Sequence, residues 1–143
     1  MGVVETPGKL KRLKAIETFS GAGGMSLGLL QAGFDVRLAF DINEDAIRTY
    51  NHNIAPHGQV RDAKEVAGDK LLEEVGLGDD RIDLLSGGPP CQGFSKQRRG
   101  AHLLSDPRNS LVLEFARLVE ETRARSFIFE NVEVFGQKRG VEL

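Results

Sequence analysis

The only cysteine of this 143-residue chain lies in Gly87-Gly88-Pro89-Pro90-Cys91-Gln92-Gly93-Phe94-Ser95, between an apolar run (82–86) and a basic loop (96–100). Two glycines let the backbone leave a strand sharply, and two prolines then fix φ and remove two amide donors. A thiol on so stiff a segment has little room to wander. That suits a nucleophile, because a small misplacement of an attacking atom forfeits much of its rate advantage. Most free cysteines are small buried hydrophobes, and reactivity needs a tuned setting. The rigid turn is such a setting. Lys96, Arg98 and Arg99 follow in the same loop, where cations serve either phosphate contacts or plain solvation.

A second constellation lies upstream. The run Gly21-x-Gly23-Gly24-x-x-x-Gly28 follows a short apolar segment, and Asp41 ends the next apolar segment, twenty positions after Gly21. The pattern is not the strict G-x-G-x-x-G fingerprint, because position 26 is Ser. Its spacing still matches the carboxylate that holds ribose hydroxyls in nucleotide-binding sheets. A nucleoside cofactor follows, but its identity stays open at this point. NAD would rest its pyrophosphate on the helix N-terminus. S-adenosylmethionine has no phosphate, and the glycines would make room for its amino-acid end.

The elements that must position these groups alternate. Strands are expected at 15–19, 36–40, about 60–62, 82–86 and 126–130. A helix runs from the glycine turn to about Gln31, closed by Gly33. Asn43 or Asp45 opens a second helix through Ile47 and Tyr50. Residues 64–76 read as a third, with Val66, Leu71 and Val75 inward and Gly76 as its stop. Asp106-Pro107 starts a fourth, with Leu111, Phe115, Leu118, Val119 and Thr122 on one face. This order predicts an open α/β sheet, mostly parallel, with crossover helices on both faces and ligands at the carboxyl ends of the strands. Gly21 to Gly24, Asp41, Asp62, Cys91 and Glu130 all fall at such ends. Asp62 is equally suited to cap the segment that follows it, and Ile42 is equally suited to the core.

Composition sets the outer limits. The length fits one domain. One cysteine excludes an internal disulfide and fits a reducing, intracellular setting. Residues 1–14, with Lys9, Lys11, Arg12 and Lys14, read as a flexible basic leader without the apolar core of a signal peptide. No run has the length of a membrane span, and no metal-ligand spacing stands out. A net charge of −2 gives no whole-molecule attraction to nucleic acid.

Three motifs carry a family resemblance. Pro89-Pro90-Cys91-Gln92-Gly93-Phe94-Ser95 resembles the catalytic loop of DNA (cytosine-5)-methyltransferases. Phe19-Ser20-Gly21-Ala22-Gly23-Gly24-Met25-Ser26-Leu27-Gly28 is similar to their S-adenosylmethionine loop, and Glu130-Asn131-Val132 to their ENV motif. The resemblance implies a partial Rossmann-like methyltransferase fold over 15–143 with S-adenosylmethionine as cofactor. Phe19, Ser20, Ala22 and the glycines Gly21, Gly23 and Gly24 would then line the cofactor. Asp41, where many relatives have Glu, would hold the ribose. Ile42 would pack on the adenine, Asp62 and Ala63 would meet its edge, and Pro90 and Leu111 would close the pocket.

The chemistry implied is covalent. A Cys91 thiolate adding to C6 of cytosine makes C5 enamine-like and able to take a methyl group. Glu130 would donate a proton or strong hydrogen bond at N3, best with its pKa raised by burial. The target base must leave the duplex, with Gln92, Ser95, Lys96, Arg98 and Arg99 near the DNA backbone. The family's later strands, its arginine-bearing motif and its target-recognition domain have no counterpart here. The resemblance therefore implies a fragment or one chain of a split enzyme, with DNA and a complementary C-terminal methyltransferase chain as partners. The alternatives are an enzyme of the kind that modifies a cytosine in transfer RNA, an inactive cofactor- or partner-binding remnant, and a nicotinamide-binding domain.

Overall fold

The computed structural model describes residues 12–90 and 110–131. Among them, β1 (Lys14–Thr18), β2 (Asp35–Asp41), β3 (Gly58–Val60), β4 (Leu84–Gly87) and β5 (Ser126–Phe129) form one sheet in the order β3-β2-β1-β4-β5. Every adjacent pair is parallel. The expected sheet is present, and its carboxyl ends share one edge. The chain order reverses between β1 and β4, the kind of switch point at which open α/β sheets bind ligands.

Alternation along the strands feeds two cores. Ile16, Leu38, Phe40 and Leu85 face the helices α3 (Gly68–Glu74) and α4 (Ser110–Glu121), meeting Leu71, Leu72, Phe115 and Leu118. Ala15, Val36 and Leu84 face α1 (Gly24–Gln31) through Leu29. α2 (Glu44–Asn53) packs on β2 and β3. Helices thus cover both faces. Leu85 is fully buried, and its truncation to Ala would cost about 2–5 kcal/mol.

Local chemistry resolves several expectations. Asn43, not Asp45, caps α2: its side chain accepts from the Ala46 amide at 3.1 Å. Gly33 takes φ 90 directly after α1. The expected helix over 64–76 is corrected to a 3-10 turn (Ala63–Glu65) followed by the shorter α3. The break falls at Val66–Ala67, and α3 starts at Gly68, where an added Cβ would lie 2.4 Å from Glu121 Cβ. α3 therefore starts where its backbone can press against the end of α4. The fourth helix is described from Ser110, so its expected start at Asp106-Pro107 lies outside the described residues. β5 is the edge strand, with Phe127 59% and Ile128 43% exposed.

Candidate cofactor and active site

The turn after β1 is strained and tied down. Phe19 has φ 53, an uncommon setting for a bulky side chain. Backbone bonds hold it on both sides: Ser20 N–H donates to Phe40 O at 3.1 Å and Gly23 N–H to Ser20 O at 3.0 Å. Gly21 N–H donates to Asp41 Oδ2 at 2.9 Å. Gly23, the N-cap of α1, has φ 96, and a Cβ there would lie 2.7 Å from the Tyr50 ring. Ser20 is 6% exposed, and its hydroxyl has no hydrogen-bond partner among the described residues. Strain and an unpaired buried hydroxyl are costs that structures tolerate mainly at functional sites.

Beside this turn is a cavity of about 370 Å³. Its wall includes Phe19 after β1, Asp41 at the end of β2 and Ile42 after it, Asp62 and Ala63 after β3, Pro90 after β4, and Leu111 on α4. Four strand ends and a helix thus bring these expected residues together. Ser20, Gly21, Ala22, Gly23 and Gly24 are absent from that wall; they form the adjoining turn, linked to it by the Gly21–Asp41 bond. Ile42 is 67% exposed, so it belongs to the cavity rather than the core. Asp62 lines the cavity and also acts as the cap expected of it, since its Oδ1 accepts from the Lys64 amide at 3.0 Å. Arg61 and Lys64 share the wall; their positions next to Asp62 were the available signal, and the sequence reading passed over it.

The catalytic edge is partly described. Glu130 N–H donates to Gly87 O at 3.0 Å, and Asn131 Nδ2 donates to Pro89 O at 3.1 Å. The Glu-Asn pair is thereby fastened to the turn that leads into Cys91. A Cβ on Gly88 would lie 2.8 Å from Glu130 Oε2, so the carboxylate rests on that glycine. Glu130 is exposed among the described residues, which does not supply the burial expected around it. Gly87 is also needed for a different reason than expected. A Cβ there would lie 2.3 Å from Thr18 Oγ1 and 2.7 Å from Thr18 O, so space rather than backbone freedom demands glycine. Cys91, Gln92, Ser95, Lys96, Arg98, Arg99 and Val132 lie outside the described residues.

Two supports escaped the sequence reading. Glu17 is 2% exposed within β1. Burial pushes its carboxyl up from the ordinary 4.5 to about 7, against the lowering effect of the Ser26 hydroxyl and amide. Ser26 Oγ donates to Glu17, and Tyr50 Oη lies 2.9 Å from both Ser26 Oγ and His57 Nε2. The second support is Arg117 on α4. It donates to Ala63 O and Val66 O at 2.9 Å and pairs with Glu114 and Glu121 at 2.7 Å. Arg117 thereby fixes the segment carrying Asp62 and Ala63 to the helix carrying Leu111. Its helical pairing was readable from i, i+3 and i, i+4 spacing, but its reach to the 63–66 carbonyls was not.

The C-5 cytosine-specific DNA methylase family model matches residues 13–141. The chain belongs to this family. It is 42% identical over 119 residues to Type II methyltransferase M.XorII of Xanthomonas oryzae, which covers 82% of this chain and 28% of that one. It is 38% identical over 123 residues to Type II methyltransferase M.AquIA of a Picosynechococcus, covering 84% and 48%. Among solved structures it resembles the Schizosaccharomyces pombe Dnmt2 methyltransferase, with TM-score 0.69, 27% identity, and coverage of 92% and 39%. It also resembles the Entamoeba histolytica methyltransferase EhMeth, with TM-score 0.70, 25% identity, and coverage of 92% and 42%. The chain thus spans less than half the length of these relatives. The family and its structural neighbours are S-adenosylmethionine-dependent methyltransferases with Rossmann-like parallel sheets. No helix among the described residues is long and apolar enough to cross a membrane, and they contain no cluster of metal-ligand side chains.

Proposed function

We propose that this chain is the cofactor- and nucleophile-bearing part of an intracellular enzyme that methylates C5 of cytosine in DNA. The observation that carries the reading is the cavity at the switch point, whose wall joins Phe19, Asp41, Ile42, Asp62, Pro90 and Leu111. Its residues fit S-adenosylmethionine. Asp41 keeps lone pairs for ribose hydroxyls after accepting the Gly21 and Asn43 amides. Ile42 offers an exposed apolar face for the adenine, and the Ser20 hydroxyl, without a partner among the described residues, gives a polar group beside the glycine turn.

When bound, S-adenosylmethionine supplies an electrophilic methyl group. The residues of the chain do the rest. Cys91 adds as thiolate to C6 of the flipped cytosine, and Glu130 holds a proton at N3 as charge develops there. Gln92, Ser95, Lys96, Arg98 and Arg99 contact the DNA backbone. Target recognition and completion of the sheet come from a C-terminal methyltransferase segment, in the same polypeptide or as a second chain. The exposed Phe127 and Ile128 on edge strand β5 support that pairing. The Type II DNA methyltransferases, at about 40% identity, favour DNA over transfer RNA as substrate.

Titration calorimetry on the chain with S-adenosylmethionine, S-adenosylhomocysteine and NAD tests the cofactor. The two adenosyl ligands should bind, and Ile42→Ala should weaken both. Tighter binding of NAD would contradict the reading.

A further inference from the structure

Glu17 is a carboxyl in the middle of a buried strand, and nothing in the methyl-transfer chemistry uses it. Gly23, the N-cap of α1, makes no side-chain cap, and the first turn of α1 contains no acidic residue. Glu17 takes that role from β1, since the Ser26 amide and hydroxyl both donate to it. A carboxylate facing a helix N-terminus is favoured by the helix dipole. From Ser26 the contacts continue through Tyr50 Oη to His57 Nε2, each at 2.9 Å. The chain begins at a fully buried group and ends at a half-buried ring.

We infer that Glu17 and His57 share one proton through the hydroxyls of Ser26 and Tyr50, and that this chain positions the Gly21–Gly24 turn for its ligand. The hydrogen bonds can run in either of two directions. In one, His57 Nε2–H donates to Tyr50 Oη, Tyr50 to Ser26 Oγ, and Ser26 to the Glu17 carboxylate. In the other, the Glu17 carboxylic acid donates to Ser26, Ser26 to Tyr50, and Tyr50 to a bare His57 Nε2. Each direction holds three protons along the chain. When solvent adds a proton to Nδ1 of His57, the Nε2 proton passes to Tyr50, Tyr50 passes its own to Ser26, and Ser26 passes its own to Glu17. The net result is a protonated Glu17 and a neutral His57 in its other tautomer. Glu17, sealed from water, thus titrates through His57.

The electrostatics permit both directions. Burial disfavours charge at each end, raising Glu17 to about 7 and lowering His57, so an added proton rests on Glu17 in preference to charging the ring. Asp41 on β2 and Tyr50 on α2 also face Glu17; Asp35 and Arg37, both on β2, act on His57 with opposite signs. The chain joins β1, α1, α2 and the loop before β3, which together frame the turn. Tyr50 is its hinge, because the ring also fills the space against Gly23 and Gly58. With Glu17 ionised, α1 is capped and the turn is held. With Glu17 protonated, that cap weakens.

Long-range proton–nitrogen NMR of His57, from about pH 5.5 to about 8.5, tests the shared proton without any ligand. Wild type should show Nε2–H above and Nδ1–H below a midpoint near 7. Glu17→Gln should abolish the switch. Tyr50→Phe, which keeps the ring and removes only the hydroxyl, should abolish it too. A single His57 tautomer throughout the range in wild type, or a switch that persists in Tyr50→Phe, would overturn the inference. The positioning half rests on the cofactor reading and is tested by S-adenosylmethionine affinity across the same range. Affinity should rise through the midpoint more in wild type than in Tyr50→Phe, a comparison in which the ligand's own titration cancels. A tautomer switch with identical pH profiles would overturn the positioning role. Absence of binding at every pH would count against the cofactor reading and against that role, while the NMR result would still decide the shared proton.

Discussion

The Asp41 carboxylate accepts the Gly21 amide at 2.9 Å through Oδ2 and the Asn43 amide at 2.9 Å through Oδ1. The residue expected to hold a ribose is therefore also the clamp that sets the glycine turn against the end of β2. Its replacement should damage both. Asp41→Ala should lower stability and S-adenosylmethionine affinity by about 1–3 kcal/mol each, the range for leaving hydrogen-bond partners unpaired. Asp41→Asn, which keeps one carbonyl acceptor, should recover part of the stability. Urea unfolding and calorimetry on the two variants separate the contributions. An affinity loss with no stability loss would show that the turn holds its shape without the clamp.

Glu17 makes stability depend on pH with a sign opposite to that of a salt-bridged carboxylate. Its folded value lies above the unfolded one, so its contribution is full below about 4.5 and is lost as pH rises through about 7. That interval corresponds to about 3 kcal/mol. Urea unfolding at about pH 5 and about pH 8 should show the wild type losing stability toward the higher pH, and Glu17→Gln losing much less. Parallel behaviour of the two proteins would mean that the carboxyl is not desolvated.

The alternation of apolar strands with helical segments made the parallel sheet and its functional edge readable, because those cues are local. Asp41 was placed by its spacing from Gly21, and Asp62 by the end of a short expected strand and by the family resemblance. Glu17 was not readable, since in an alternating strand a glutamate reads as solvent-facing. Its burial depends on Ser26 and Tyr50, nine and 33 positions away (26 − 17 and 50 − 17), and no local pattern announces them. The same reason hid the break before α3. Gly68 is demanded by the Cβ of Glu121, a residue distant in sequence and adjacent in space. Gly87 was recognised as special, but for backbone freedom, when the constraint is the neighbouring Thr18.

Gly87 and Gly88 should therefore respond differently to the same change. Gly87→Ala forces a methyl group into the backbone and side chain of Thr18, an overpacking that should cost about 1–3 kcal/mol. Gly88→Ala meets only the mobile end of Glu130. It should leave stability within about 0.5 kcal/mol while displacing the carboxylate and reducing methyl transfer by the completed enzyme. Denaturant midpoints and a tritiated methyl assay on both variants check the contrast. Equal stability losses would show that Glu130 cannot yield at this contact.

Covalent capture on DNA carrying 5-fluorocytosine at the target measures the nucleophile directly. The chain, together with the C-terminal methyltransferase segment proposed to complete it and S-adenosylmethionine, should form a stable protein–DNA adduct, because fluorine at C5 blocks the final elimination. Peptide mass mapping should place the adduct at Cys91. Cys91→Ser should form none and show no turnover on ordinary cytosine, while binding S-adenosylmethionine as the wild type does. An adduct mapped to another residue, or normal turnover by Cys91→Ser, would contradict the assignment.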